Sequence, residues 1–189
     1  MFLKKILKKT IMNNIFCPNC GSDSIEKKIP EGDTHYRKVC SSCNYIMYEN
    51  PKVVVGSVCT YKNQFLMCKR AIDPQKGLWT LPAGYLENDE SVEEGAIREA
   101  FEEAYAKIKI INLLAVYSLK NVNQIQVLFH SELIDEKIKP GIESLEVGLF
   151  NWEEIYWDKI AFPSVTWALT NFKERQNLDT FRVFTNPIK

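Results

Sequence analysis

The segment Gly84–Ala106, "GYLENDESVEEGAIREAFEEAYA", restricts the fold of this chain more than any other part of its sequence. If its second half is a helix, Glu99, Glu102 and Glu103 fall within roughly 100° of one another around the helix axis. Carboxylates at this spacing repel each other, and like charges at i,i+4 destabilise an exposed helix by about 0.2–0.5 kcal/mol per pair. The cluster is therefore either a solvated acidic face or a cradle for cations that cancel the repulsion.

Two further patterns place these glutamates on a helix. Ser91 and Glu94 match a capping box, in which the serine hydroxyl and the glutamate carboxylate each accept a hydrogen bond from a backbone N–H at a helix start. Small or apolar side chains then recur every four positions, at Val92, Ala96, Ala100 and Ala104. Because such a stripe lets a helix lie close against a sheet, we predict a helix that packs on one.

The remaining sequence predicts a mixed sheet covered by helices, an α+β class. Apolar and β-branched runs predict strands within residues 49–61, 64–70, 77–87, 107–119, 124–134 and 144–152. The first two runs should form a hairpin across "KN", and the third should lead from a strand into a loop. Apolar positions at helical spacing in "SVTWALTNFKERQ" predict a C-terminal helix.

Four of the six cysteines form two C-x-x-C pairs, Cys17 with Cys20 and Cys40 with Cys43. Two thiolates three positions apart can hold one metal ion, and two such turns together make a closed tetrahedral site that suits Zn²⁺. The spacing between the pairs also fits a zinc site. A redox role is the alternative, but the pair would have to be doubled and lacks a thioredoxin-like setting. We therefore predict one structural zinc ion.

Four other residues could carry chemistry but are better explained by packing. Cys59 and Cys68 stand alone in apolar runs and are expected to be buried thiols. His35 could replace a thiolate as a metal ligand, but four thiolates already complete the site. His130, in "VLFHSEL", is typical of a strand histidine with a local partner.

Composition excludes several classes of function. The 189-residue chain carries 24 basic and 24 acidic residues, and zero net charge argues against a broad nucleic-acid surface. No apolar run approaches the roughly 18 residues that span a bilayer. The segment "MFLKKILKKTIMNN" is either a targeting or membrane-surface segment or a frayed extension, and we favour the extension. We expect a cytoplasmic protein with a small-molecule partner, no stable nucleic-acid partner and no membrane.

The segment Gly84–Ala106 resembles the Nudix box. That box reads Gly, five residues, Glu, seven residues, then Arg-Glu-apolar-x-Glu-Glu-x-Gly-apolar. The matching positions are Gly84, Glu90, Arg98, Glu99, Ala100, Glu102, Glu103 and Ala106, whereas Tyr105 stands where the family has glycine. A four-cysteine ribbon precedes the box in this chain. Together with that ribbon, the runs "NPKVVVGSV" and "CKRAIDPQKGLWTLPAGYLE" are similar to the FAD and ADP-ribose pyrophosphatase group.

This resemblance implies a Nudix α/β/α sandwich with a mixed β-sheet, preceded by a small zinc ribbon. The implied domains are an N-terminal extension (1–14), the zinc ribbon (15–48), the Nudix hydrolase domain (49–182) and a tail (183–189). The implied activity is Mg²⁺- or Mn²⁺-dependent hydrolysis of the diphosphate linkage of FAD or ADP-ribose. An NADH or NAD-cap pyrophosphatase is an alternative, although "IAFPSVTW" does not match the NADH-enzyme signature. A non-catalytic nucleotide sensor is another, and a homodimer is expected by analogy.

The resemblance also assigns the acidic residues. Glu99, Glu102 and Glu103 are implied to be Mg²⁺ ligands, and Glu102 is a candidate for the general base. A further catalytic carboxylate is expected from a later loop, where Glu143 is preferred to Glu146, because Glu146 lies in a strand-like run. Which of Glu102, Glu103 and Glu143 is the base stays open.

Other residues of the box are implied to frame the site. Arg98 should point off the acidic face and pair with Glu90, and Gly84 should permit the tight turn that feeds the loop. Tyr105 should alter the end of the helix and leave the chemistry intact.

Two residues are candidates for substrate contacts. Arg70 could bind a phosphate as a bidentate donor, or it could be a surface charge that closes a strand. Tyr85 follows the box glycine directly, a position that favours a pocket, whereas most aromatic residues of such a domain belong to the core.

Overall fold

The computed structural model describes residues 15–176 and 182–187. The chain divides into two compact units, Met1–Asn50 and Pro51–Lys189. The expectations for residues 1–14, an extension or a targeting segment, lie outside the described residues. Within the described part, no helix is both long enough and apolar enough to cross a membrane.

The first unit is a small antiparallel sheet. Its strands, in the order β1-β2-β3, are β1 (Ile25–Lys28), β2 (Arg37–Cys40) and β3 (Ile46–Met47). Among its described residues, the buried apolar side chains are those of Cys17, Val39 and Cys40. So small a core does not stabilise a fold of this size by itself, and a metal ion is the usual supplement.

The second unit is built on a seven-stranded mixed sheet. Its strands are β4 (Lys52–Tyr61), β5 (Gln64–Arg70), β6 (Trp79–Thr80), β7 (Ala83–Tyr85), β8 (Ile108–Leu119), β9 (Gln124–Leu133) and β10 (Ser144–Phe150). The main path runs β10-β5-β4-β9-β8, with β6 on β5 and β7 on β4. The β4 and β9 strands are parallel, and the other pairs are antiparallel.

The predicted hairpin across "KN" joins β4 to β5. Both turn residues, Lys62 and Asn63, have positive φ, at 47° and 68°. A two-residue turn of this kind matches the right-handed twist of the flanking strands. Successive side chains along β4 point to opposite faces of the sheet.

Two helices cover opposite faces of this sheet. On one face, α1 (Val92–Ala104) packs Ala96 against Val55, and Ala100 against Cys59 and Cys68. On the other face, α2 (Pro163–Arg175) contributes Val165, Ala168, Leu169 and Phe172 to the core cluster that includes Val58, Phe65 and Met67. Since Val58 and Cys59 are neighbours on β4, the two clusters lie on opposite faces. The predicted α/β/α sandwich and the buried state of both lone cysteines are confirmed.

The last described residues also pack on the sheet. Phe184 is buried, and its N–H donates to the Leu114 carbonyl at 2.9 Å. The Asn186 side chain bonds both backbone polar groups of Ser118, at 2.7 and 2.9 Å. Residues 184–186 thus extend the edge at β8 and do not form a separate tail.

We expect Leu169→Ala to lower the free energy of unfolding by about 2–5 kcal/mol, because Leu169 is fully buried and the change leaves a cavity. Leu145→Ala is the matched control, since Leu145 is half exposed on β10 and its loss should change stability by less than about 0.5 kcal/mol. Urea denaturation of both variants measures the difference. Equal effects would contradict the assignment of α2 to the core.

Candidate active site

The four paired cysteines converge in the first unit. The sulfur atoms of Cys17, Cys20, Cys40 and Cys43 all lie within 4.8 Å of one another. Two of the sulfur–sulfur distances are 3.6 Å, from Cys17 Sγ to Cys43 Sγ and from Cys20 Sγ to Cys40 Sγ. A tetrahedron with Zn–S bonds of about 2.3 Å has S···S edges of roughly 3.8 Å. The sulfur positions therefore fit a zinc ion.

The two halves of this cluster use the same kind of turn. The Gly21 N–H donates to the Cys17 carbonyl, and the Asn44 N–H donates to the Cys40 carbonyl, both at 2.8 Å. Gly21 and Asn44 have φ of 72° and 59°, the left-handed region that glycine and asparagine tolerate best. Each turn thus brings its two sulfur atoms to the same side.

One polar contact favours the thiolate form of Cys43. The Asn19 side-chain amide donates to Cys43 Sγ at 3.6 Å, and this bond is the largest of the causes that lower the pKa of that thiol to about 6, whereas the pKa of Cys20 is raised to about 12. Only the thiolate form binds a metal. His35, the discarded alternative ligand, instead contacts the neighbouring Thr34 hydroxyl through Nδ1 at 2.8 Å.

In the second unit, α1 presents the predicted acidic face beside β7. Glu99 and Glu103 are buried, at 8% and 7% exposure, whereas the Glu102 side chain is 57% exposed. The predicted capping box starts this helix: the Glu94 N–H donates to Ser91 Oγ, and the Ser91 N–H donates to Glu94. Two of the three carboxylates are thus held out of water on the same face of the domain.

Strand β7 forms the floor beneath the two buried carboxylates. At Gly84, a Cβ atom would lie 2.4–2.5 Å from the carboxyl atoms of Glu99, so any side chain there would displace that carboxyl group. The Ala83 backbone N–H donates a hydrogen bond to Glu103. The prediction that Gly84 makes a tight turn is wrong, because it lies within a strand and its φ is not positive. Its role is to leave room for the carboxylate.

Burial and mutual repulsion oppose the charged forms of these two carboxyls. Burial is the main cause that raises the pKa of Glu99, with the charges of Glu102 and Glu143 adding to it and Arg98 opposing it. For Glu103, burial and then the charge of Glu99 raise the pKa to about 8. Buried carboxylates favour a cation in their midst, since a bound cation offsets both effects.

Arg98 is the centre of a network on this face. Its guanidinium donates two hydrogen bonds to Glu90, of 2.7 and 2.9 Å, and so forms the expected Arg98–Glu90 pair. The prediction that Arg98 points off the acidic face is wrong, because Nη1 also donates to Glu99 at 2.6 Å and to Glu102 at 3.0 Å. The Arg98 guanidinium therefore binds the Glu90 carboxylate of the loop and two of the three helix carboxylates at once.

Glu143 reaches the same site from the loop before β10. Its charge contributes to the raised pKa of both Glu99 and Glu103, so its carboxylate lies near theirs. Its carbonyl accepts a hydrogen bond from the Ala71 N–H at 2.8 Å. Both Glu143 and Glu146 are exposed, but Glu146, the competing candidate, pairs with Lys69 at 3.3 Å.

The two predicted substrate contacts lie in different surroundings. Arg70 is close enough to Glu103 to favour its charged form, and its Nε donates to the Pro74 carbonyl at 2.8 Å. Tyr85 is half exposed, and its hydroxyl accepts from the Gln124 side chain at 3.1 Å. Its carbonyl accepts from Arg98 Nη2 at 3.0 Å. Arg70 thus borders the carboxylates through its side chain, whereas Tyr85 contacts the network through its backbone.

Tyr105 shows how the departure from the box pattern is accommodated. It adopts the left-handed conformation itself, with φ 49° and ψ 22°. The Tyr105 N–H donates to the Phe101 carbonyl at 2.7 Å, and the Ala106 N–H donates to the Ala100 carbonyl at 3.1 Å. These bonds close the helix as a glycine would, so the expected altered helix end is wrong.

His130 lies away from the carboxylates. Its Nε2 is 3.3 Å from Thr60 Oγ1, and its ring centre is 4.7 Å from that of Phe172. These three residues border a cavity of about 390 Å³ that includes none of the acidic residues of the site. The prediction of a strand histidine with a local partner agrees with these contacts.

The structure therefore brings together all four predicted carboxylates with Arg98 and Arg70. Sequence reasoning missed Gly141 and Lys139, which attach the Glu143 loop to the end of α1 through hydrogen bonds to the Glu103 and Ala104 carbonyls. The only signal for them is a glycine two positions before Glu143, which alone does not indicate a contact.

Both units of the chain match known protein families. The NUDIX domain family matches residues 50–168, and the Nudix N-terminal zinc-ribbon family matches residues 16–49. The crystal structure of a NUDIX hydrolase from Nitrosomonas europaea is 44% identical, covers 90% of this chain and 99% of its own, and superposes with a TM-score of 0.82.

Two curated relatives carry more specific names. An ADP-ribose pyrophosphatase of Methanocaldococcus jannaschii is 33% identical over 122 residues, which are 62% of this chain and 71% of the relative. An NAD-capped RNA hydrolase of Schizosaccharomyces pombe is 32% identical over 104 residues, which are 47% of this chain but only 26% of the relative. With its box residues gathered into one site and both of its segments matched, the chain belongs to the Nudix hydrolase family and carries the zinc ribbon of Nudix proteins ahead of its hydrolase domain.

Proposed function

We propose that this protein is a Mg²⁺-dependent pyrophosphohydrolase that cleaves the diphosphate of ADP-ribose, with FAD as the next candidate substrate. The observation that carries the proposal is the convergence of Glu99, Glu102, Glu103 and Glu143 beside Arg70. Such a set of oxygen ligands suits Mg²⁺ or Mn²⁺. The ADP-ribose pyrophosphatase of M. jannaschii supports the substrate.

The three acidic residues of the helix divide metal binding and proton transfer between them in the proposed reaction. When bound, Mg²⁺ would neutralise the diphosphate charge and make a water molecule more acidic. Glu99 and Glu103, held by Arg98 and the Ala83 N–H, would be ligands of fixed position. Glu102 is the most accessible of the three helix carboxylates at the site and would accept the proton of the attacking water. Attack at one phosphorus breaks the P–O–P bridge and yields two monophosphates.

The zinc ribbon has a structural role in this proposal. Its four thiolates leave no open position for a substrate, as in other closed zinc sites. Since the described part of the first unit buries few apolar side chains, the folding free energy of this unit would come largely from zinc binding.

Glu102→Gln should lower kcat for the preferred substrate by about 10²–10⁴-fold without loss of folding, because the amide cannot accept a proton. Zinc-replete protein is assayed with ADP-ribose, FAD, NADH and nucleoside triphosphates, with Mg²⁺ and without it. Glu93→Gln is the control, since Glu93 is an exposed residue in the first turn of the same helix.

The panel separates the candidate activities. Preferred turnover of ADP-ribose supports the proposal, whereas preferred turnover of NADH would favour the NAD-cap alternative. Nucleotide binding by calorimetry with no Mg²⁺-dependent product would instead indicate a sensor. A Glu102→Gln enzyme with near-wild-type kcat would show that another residue is the base.

In Mg²⁺-free buffer, the zinc-bound protein should become less stable as the pH rises from about 4.5 to about 8. Glu103 has a pKa of about 8 in the folded protein, against 4.5 for a free glutamate. The folded protein therefore keeps a proton that the unfolded chain releases, so this stabilisation is complete below about pH 4.5 and is lost as the pH rises through 8. Each pKa unit is worth about 1.4 kcal/mol.

Urea denaturation at several pH values measures how far the free energy of unfolding falls as the pH rises. Glu103→Gln should reduce that fall. Addition of Mg²⁺ at pH 8 should restore stability to the wild type and have less effect on the variant. A wild-type stability that is constant over this pH range would contradict the burial argument.

Cys40→Ser should abolish zinc binding and unfold the first unit while α1 and its sheet persist. Cys40 is fully buried and supplies one of four ligands, and a three-thiolate site binds more weakly. Elemental analysis reports zinc per chain, and hydrogen exchange reports protection in each unit. Ser42→Ala, at an exposed position in the same turn, should keep one zinc ion per chain.

A further inference from the structure

The chain between β9 and β10 crosses the C-terminal end of α1. The Lys139 N–H donates to the Ala104 carbonyl at 3.0 Å, and the Gly141 N–H donates to the Glu103 carbonyl at 2.9 Å. The last carbonyls of a helix have no partner within it, so these loop amides satisfy groups that would otherwise need water. The loop is thus bonded to the same turn of α1 that carries two of the acidic side chains.

Gly141 brings the loop into direct contact with the helix backbone. A Cβ atom at this position would lie 1.7 Å from the Glu102 carbonyl oxygen, a distance that no side chain could occupy without moving the loop. Glu143 follows two residues later, and its own carbonyl is tied to the Ala71 N–H. The position of the Glu143 carboxylate therefore depends on how closely residues 139–141 approach α1.

Tyr105 and Lys139 make a side-chain contact at this junction. The Lys139 Nζ lies 3.9 Å from the centre of the Tyr105 ring, and the Phe101 ring packs edge-on at 5.3 Å. A cation over an aromatic face is attracted by the ring quadrupole. Glycine, the residue of the box pattern, would fit the left-handed backbone with less strain but would offer Lys139 no ring.

We propose that Tyr105 and Lys139 are positioning residues that clamp residues 139–141 against the end of α1 and so hold Glu143 at the acidic site. This inference rests on the proposed function, which counts Glu143 among the oxygen ligands of the metal site. The clamp acts through Glu143 and not through substrate, so its loss lowers kcat and leaves KM nearly unchanged.

Lys139→Met and Tyr105→Gly each remove the contact, and each should lower kcat about two- to fivefold, the factor that an exposed cation–π contact is worth. Lys139→Arg and Tyr105→Phe keep a cation and a ring, so both should retain wild-type kcat. Lys137→Met is the matched control, since Lys137 is an exposed lysine of the same loop. It should change neither kcat nor KM.

A double-mutant cycle shows whether the clamp acts through Glu143. In a Glu143→Gln background, Lys139→Met should have no further effect on kcat. A rise in KM that persists in that background would overturn the inference and assign Lys139 to direct substrate binding. A loss of kcat in Glu143→Gln with no loss in Lys139→Met would overturn the clamp alone and leave the proposed function intact.

Hydrogen exchange supplies a readout that does not need turnover. The Gly141 amide should exchange about two- to fivefold faster in Lys139→Met than in wild type or Lys137→Met, because the clamp restrains its bond to the Glu103 carbonyl. Unchanged exchange would overturn the clamp whatever the substrate is. If Glu143→Gln has wild-type kcat, the role of Glu143 fails and the catalytic part of the inference fails with it.

Discussion

The placement of the Glu99 carboxylate against the backbone of β7 is the constraint on which the rest of the site depends. The approach is so close that a Cβ atom at position 84 would displace the Glu99 carboxyl group from its place. A carboxylate held there is buried, and burial together with its acidic neighbours opposes its charge. Arg98 offsets part of this cost on the outer side of the helix, and Glu90 in turn holds Arg98. The box is therefore one electrostatic unit that spans a strand, a loop and a helix.

The same unit depends on how α1 is closed at its two ends. At the start, the Ser91 and Glu94 side chains satisfy backbone N–H groups and define where the helix begins. At the end, Tyr105 reverses the chain, and loop amides bond the Glu103 and Ala104 carbonyls. The small side chains on its inner face let it lie directly on β4, so the helix that carries the acidic residues has little freedom to shift.

Local patterns predicted the elements well, because each has a local physical cause. Apolar and β-branched runs indicated β4, β5, β8 and β9, and the cap at Ser91 indicated the start of α1. The error at Gly84 concerns a contact between distant segments, because nothing near Gly84 in the sequence reveals that Glu99 occupies the space beside it. The attachment of Gly141 to the end of α1 is likewise set by tertiary packing. The error at Arg98 is of another kind, since its contact with Glu102 is an i,i+4 pair within α1 that helical spacing allows.

The burial of Cys59 and Cys68 has a practical consequence for chemical studies of the protein. Both thiols are fully enclosed between α1 and the sheet, and burial raises the pKa of each well above its usual value. A protonated, enclosed thiol reacts slowly with alkylating reagents. The reactive thiols of the folded chain are then those of the ribbon, and their number reports the state of the four-sulfur cluster without interference from the hydrolase domain.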